Sequence, residues 1–198
     1  MGLFGLFKKN DKKLSHESKE NNEKEILSKE MAIQTIASII SENDSAVIKR
    51  IADCLADSEA YFKKHRNVFL ERGIEDFDQI LLREIRWISM VDILAENQYV
   101  CERDWKDELE DFLYFVRELK GMRDAALPLE VEWFDKNADV SEWCAIIDGK
   151  WKSLGMCLAD IDIESDSYVL FPCREDELDK LKKLAKIVSC RIDYAKNL

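Results

Sequence analysis

The sequence predicts an α+β protein: helix-rich, with a small and mainly antiparallel sheet packed by helices, and a helical extension on its N-terminal side. Two strand-like runs, Met156–Ile163 and Ser167–Pro172, stand either side of the turn-type residues Glu164-Ser-Asp-Ser167 and read as a hairpin. Apolar residues upstream recur at helical rather than alternating spacing. The C-terminal order of helix, strand, strand, helix, strand calls for helices laid against one face of the sheet.

In chain order, the start Met1–Lys9 places Leu3, Phe4 and Phe7 on one side of a helical turn with Lys8, Lys9, Lys12 and Lys13 behind it. A frayed terminus or a short docked helix is the preferred reading, with weak membrane-surface contact by residues 1–13 as a subsidiary one. Residues 10–24 are mostly Lys, Glu, Asn and Ser and read as a solvated linker, because they bury too little apolar area to offset ordering entropy. The expected organisation is a flexible segment and linker over 1–24, a helical extension over 25–74 and an α+β domain over 75–198. In the extension, Ile33, Ile36, Ala37 and Ile40 form one apolar face. A second helix carries Val47, Ile48, Ile51 and Leu55. A third carries Tyr61, Phe62, Val68 and Phe69 and stops at Gly73.

Within 75–198 a longer helix is expected over Asp76–Asn97, apolar around much of its circumference. Tyr99–Trp105 reads as a strand leading to a helix with Leu109, Phe112, Leu113 and Val116 that ends at Gly121. Val131–Trp133 suggests a short edge strand. Asp139 and Glu142 have capping-box spacing and open a helix carrying Trp143, Ile147 and Trp151. After the hairpin, Glu175, Asp176 and Glu177 start a last helix, and Cys190–Tyr194 returns as a strand.

Composition narrows the function. Acids outnumber bases 41 to 30, a formal charge of −11, and residues 25–198 carry −13 because the first 24 residues are +2. No nucleic-acid partner is expected from so acidic a chain, and a basic protein partner is. Six cysteines with no C-x-x-C pair point to a reduced, cytoplasmic setting in which they fill the core. No transmembrane segment is expected, since no apolar run approaches about 20 residues.

Catalytic signals are sparse. His16 and His65 are the only histidines, one in the linker and one on a polar helix face, which leaves no His-based triad or multi-His zinc site. The six glycines form no phosphate-binding loop, and Ser165 and Ser167 lie in no G-x-S-x-G elbow. No metal or other cofactor is expected.

The dense polar feature is the hairpin. Asp160, Asp162 and Glu164 alternate with Ile161 and Ile163, so an extended strand puts the carboxylates on one face and the isoleucines in the core. Asp166 sits at the turn. The pattern is not an EF-hand loop, since Ser165 and Phe171 stand where Gly and Glu are required. A solvated strand with a self-bonded turn explains it most simply. As a functional surface, Asp160, Asp162, Glu164 and Asp166 form an acidic docking face, with Trp105 or Trp151 as its aromatic anchor. Divalent-metal hydrolysis through Asp160, Asp162 and Glu164 is the catalytic alternative.

The segments Glu102-Arg-Asp-Trp-Lys-Asp-Glu-Leu-Glu-Asp-Phe112 and Gly155-Met-Cys-Leu-Ala-Asp-Ile-Asp-Ile-Glu-Ser-Asp-Ser-Tyr-Val-Leu170, with the acid-led final helix, resemble the bacterial family catalogued as domain of unknown function 6630, over roughly residues 76–194. The resemblance implies a bacterial α+β protein and supplies no catalytic residues. Small α+β domains of this kind also occur among toxin-immunity proteins, an analogy of fold only.

Overall fold

Four strands, β1 (Cys101–Asp104), β2 (Met156–Asp162), β3 (Ser167–Arg174) and β4 (Arg191–Tyr194), form one sheet in the order β1-β3-β2-β4, with every neighbouring pair antiparallel. The computed structural model describes residues 24–197. The N-terminal turn and most of the linker lie outside the described residues. The helices are α1 (24–40), α2 (Ser45–Ala56), α3 (Ser58–Lys64), α4 (Arg66–Glu71), α5 (Leu82–Glu96), α6 (Leu109–Arg117), α7 (Lys120–Asp124), α8 (Val140–Trp151) and α9 (Glu175–Ile187).

Helices cover both faces of the sheet, not one as expected. On the first face, Cys157, Ala159 and Ile161 of β2 share a core with Ile36 of α1, Val47 of α2, Val91 of α5 and Leu181 of α9. On the second, Leu158 and Leu170 pack with Phe112 and Val116 of α6 and with Trp143 and Trp151 of α8. The two cores follow from strand geometry, in which successive side chains point to opposite faces. A third, smaller cluster of Phe62, Phe69 and Ile85 joins α3, α4 and α5. The N-terminal helices and the sheet therefore bury their apolar faces against each other.

Caps explain several boundaries. The Asp44 carboxylate accepts from Ala46 N at 2.9 Å and opens α2. Asp139 accepts from Glu142 N at 2.9 Å while Glu142 accepts from Asp139 N at 3.4 Å, so the capping box of α8 forms as its spacing predicts.

Four local expectations are corrected. The third helix breaks at His65 into α3 and α4. The long helix is a 3₁₀ turn, Phe77–Gln79, followed by α5, because Ile80 turns aside to pack beside Phe69 and Ile85. Val131–Trp133 is also a 3₁₀ turn, its backbone satisfied locally by Trp133 N to Glu130 O and Phe134 N to Val131 O, each 3.2 Å. Gly121 lies inside α7 rather than ending α6. There its bare Cα admits Pro172 of β3, whose Cγ would stand 2.6 Å from any Cβ.

Candidate functional site

The register of the sheet creates the site. Pairing of β2 with β3 stops at Asp160↔Leu170, whereas β1–β3 continues to Asp104↔Ser167 and β2–β4 to Asp162↔Arg191. Beyond Asp160 the sheet parts into two strand pairs like a fork. Val169 N–H, at the point of parting, donates to the Asp160 carboxyl. In the fork lies a cavity of about 330 Å³ lined by Trp105, Asp160, Asp162, Ser165, Asp166, Ser167, Tyr168 and Arg191.

Period-two alternation places Asp160, Asp162, Tyr168 and Arg191 on the face that carries α6 and α8. Asp160 forms the depth of the cavity and is only 2% exposed. Its second oxygen has no hydrogen-bond partner among the described residues. Burial, the largest influence, drives its pKa up to about 8; donation from Val169 N–H and the charge of Arg191 act against this, and Asp162 reinforces it. At neutral pH the group is a carboxylic acid, able to donate as well as accept.

Nearer the mouth, Asp162 accepts from Glu164 N at 2.8 Å, and Ser165 Oγ accepts from Ser167 N at 3.2 Å. These bonds hold the tight turn in which Glu164 takes φ +58°. Trp105, 48% exposed, is held beside the turn by its backbone N–H donating to Asp166 O at 3.3 Å. Lys106 Nζ lies 4.5 Å from its ring centroid, a cation–π contact within the chain. Arg191 is engaged by Asn197 O at 2.9 Å and by Asp193 at 3.4 Å. Asp162 and Asp166 therefore leave the mouth of the cavity with an excess of negative charge.

The fork brings together four of the six residues singled out from sequence: Trp105, Asp160, Asp162 and Asp166. Two others go elsewhere. Glu164 lines a separate cavity of about 410 Å³ with Arg83 and Trp87, its carboxylate 3.6 Å from Arg83 Nη2. Trp151 is fully buried, donating from Nε1 to Pro128 O at 2.8 Å, and is no surface anchor. Asp160 also departs from expectation, for it lies beneath the surface and not on a solvated face. The face read as open to water carries the second helix layer. The carboxylates of Asp160, Asp162 and Glu164 do not share one cavity, and no group of three His, Cys, Asp or Glu side chains among the described residues is placed to hold a metal ion. Tyr168 and Arg191 are not singled out by sequence reasoning. Cys190–Tyr194 reads as a return strand, but nothing local to it announces that it pairs with β2 at Asp162.

A family model described as a domain of unknown function (DUF6630) matches residues 32–195. The chain belongs to the DUF6630 family. The match takes in α2–α4 and the C-terminal half of α1, helices that the sequence resemblance left outside, consistent with the core that α1 and α2 share with the sheet. No curated protein and no solved structure matches the chain. In this DUF6630 member the whole fork lies inside the matched region.

Elsewhere the chemistry is quieter. Another cavity, about 670 Å³, lies at the opposite end of β2 and β3, where Met156, Pro172, Arg174, Glu177 and Lys180 contribute to its walls. Its Arg174 is engaged by Asp176 at 3.1 Å. All six cysteines are free, and burial raises the thiols of Cys101 to about 12 and Cys190 to about 11. Neither is a thiolate at neutral pH. No helix among the described residues is long and apolar enough to cross a membrane.

Proposed function

We propose that the protein acts by binding rather than catalysis, and that the fork receives a basic side chain of a protein partner. One observation carries this reading. An exposed tryptophan stands over a cavity whose mouth has excess carboxylate and whose floor is a buried carboxyl with an unused oxygen. A lysine or arginine entering the fork would find the Trp105 ring for its charge and stem, the carboxylates of Asp162 and Asp166 for its head, and Asp160 below. The charge of −11 would attract such a partner over distance and raise its association rate.

The test is to capture the partner from the native host and then measure its affinity for the native chain, Trp105→Ala and Asp162→Asn/Asp166→Asn. Expected are losses of at least about tenfold for each variant, as for removal of an interface anchor, and weakening of native binding with added salt. Affinity unmoved by both variants would remove the fork from consideration.

A further inference from the structure

Of the six free cysteines, the register of the sheet sets two directly opposite each other, Cys157 of β2 and Cys173 of β3. In the same register, Glu175 N–H donates to Gly155 O at 2.9 Å. Hydrogen-bonded and non-hydrogen-bonded pairs alternate along an antiparallel ladder, so two residues further on Cys157 and Cys173 are again a hydrogen-bonded pair, with Cα atoms about 5.5 Å apart. That is the usual Cα separation across a disulfide. Both side chains enter the core that α9 shares with the sheet, so they leave the strands on one face.

The two thiols are already in contact. A hydrogen bond to Cys157, and after it burial, raises the pKa of Cys173. Each sulfur also reaches a main-chain carbonyl, Cys157 Sγ to Cys173 O at 3.5 Å and Cys173 Sγ to Arg174 O at 3.3 Å. At rest such a pair is reduced and slow to react.

Access is what separates this pair from cysteines that only fill the core. Cys173, 4% exposed, lines the cavity of about 670 Å³ at this end of the sheet, beside Arg174 and Lys180. Cys157 is 0% exposed and lies behind it. A reagent in the cavity therefore meets Cys173 first, and Cys157 meets only Cys173.

We propose that Cys157 and Cys173 are a redox-active pair that closes reversibly into a cross-strand disulfide, with a small-molecule disulfide such as oxidised glutathione as the oxidant. Cys173, having lost its proton to water, attacks one sulfur of the oxidant; the oxidant's S–S bond breaks and one glutathione leaves as a thiolate with the electron pair. Cys157 then gives up its proton and attacks the Cys173 sulfur of this mixed disulfide, and the second glutathione leaves. Two protein thiols are oxidised, one external disulfide is reduced to two thiols, and the two protons released are taken up by the leaving thiolates. The second step joins groups already in contact, which favours closure over persistence of the mixed disulfide. The bond forms at the end of β2 and β3 away from the fork, so it stands independently of what the fork binds.

The experiment equilibrates the folded, reduced full chain with about a hundredfold molar excess of oxidised glutathione, quenches with acid, alkylates the remaining thiols after denaturation, and locates the products by mass spectrometry. The native chain should lose two alkylatable thiols and yield a peptide pair linked through Cys157 and Cys173. Its oxidised form should melt about 5–10 °C above the reduced form, because the bond closes the loop over residues 157–173. Cys157→Ser, lacking the second thiol, should hold one glutathione on Cys173, whereas Cys173→Ser should leave Cys157 unmodified. Six alkylatable thiols in the native chain after equilibration would overturn the proposal, as would a link to any other cysteine. An oxidised chain that melts below the reduced one would also overturn it, since the native register would then not accommodate the bond. Glutathione on Cys157 in Cys173→Ser would refute the order of attack. The thiol count and the melting of the native chain decide the main claim whether or not the two variants fold.

Discussion

Substitution of Asp160 by Asn gives the most direct physical check on the fork. The carboxyl is 2% exposed and its pKa is raised from 3.8 to about 8, chiefly by burial. Between those values the unfolded chain has lost the proton while the folded chain keeps it. The unfolded state then binds fewer protons, and stability falls as pH rises. The loss is about 1.4 kcal/mol per pH unit, beginning near pH 4 and levelling off above about pH 8, and amounts to about 4 kcal/mol at pH 7. The side-chain amide introduced by Asp160→Asn would still accept from Val169 N–H through its oxygen and would present its NH₂ group to the cavity, but it does not ionise. Urea denaturation at intervals from pH 5 to pH 8.5 should show this variant more stable than the native chain by a margin that widens steadily to about pH 8. A margin constant with pH would mean that Asp160 is ionised in the folded protein, and the account of the cavity floor as a neutral acid would be wrong.

Other expectations concern the scaffold. Trp151→Ala should cost about 3–5 kcal/mol in chemical denaturation, since it empties a fully buried site and orphans Pro128 O. Trp105→Ala, at an exposed position, should stay within about 0.5 kcal/mol of native. The two glycines should behave oppositely in thermal melts. Gly121→Ala forces a Cβ to within 2.6 Å of Pro172 Cγ and should destabilise by about 1–3 kcal/mol. Gly149→Ala, inside α8 with nothing within 4 Å, should stabilise by about 0.5–1 kcal/mol. Asp139→Ala removes the cap of α8 and should lower stability by about 1 kcal/mol.

Much of the fold is legible because its signals are local. The buried face of Ile33, Ile36, Ala37 and Ile40, the capping box of Asp139 and Glu142, and the hairpin around Glu164–Ser167 each depend on residues within a turn or two of one another. The errors arise where a neighbour distant in sequence intervenes. Gly121 reads as a helix end until Pro172 is set against it. Trp151 reads as an anchor until Pro128 O and the α6–α8 core enclose it.

The acidic hairpin divides along the same line. Period-two alternation by itself determined that Asp160 and Asp162 share a face opposite Ile161, and composition by itself determined the formal charge of −11. Only the tertiary structure decided what covers that face. The second helix layer buries Asp160, the early end of the β2–β3 ladder opens the fork, and β4 brings Arg191 to its wall. Burial and strand pairing depend on surfaces meeting across the chain, and those meetings are not written in the local spacing of residues.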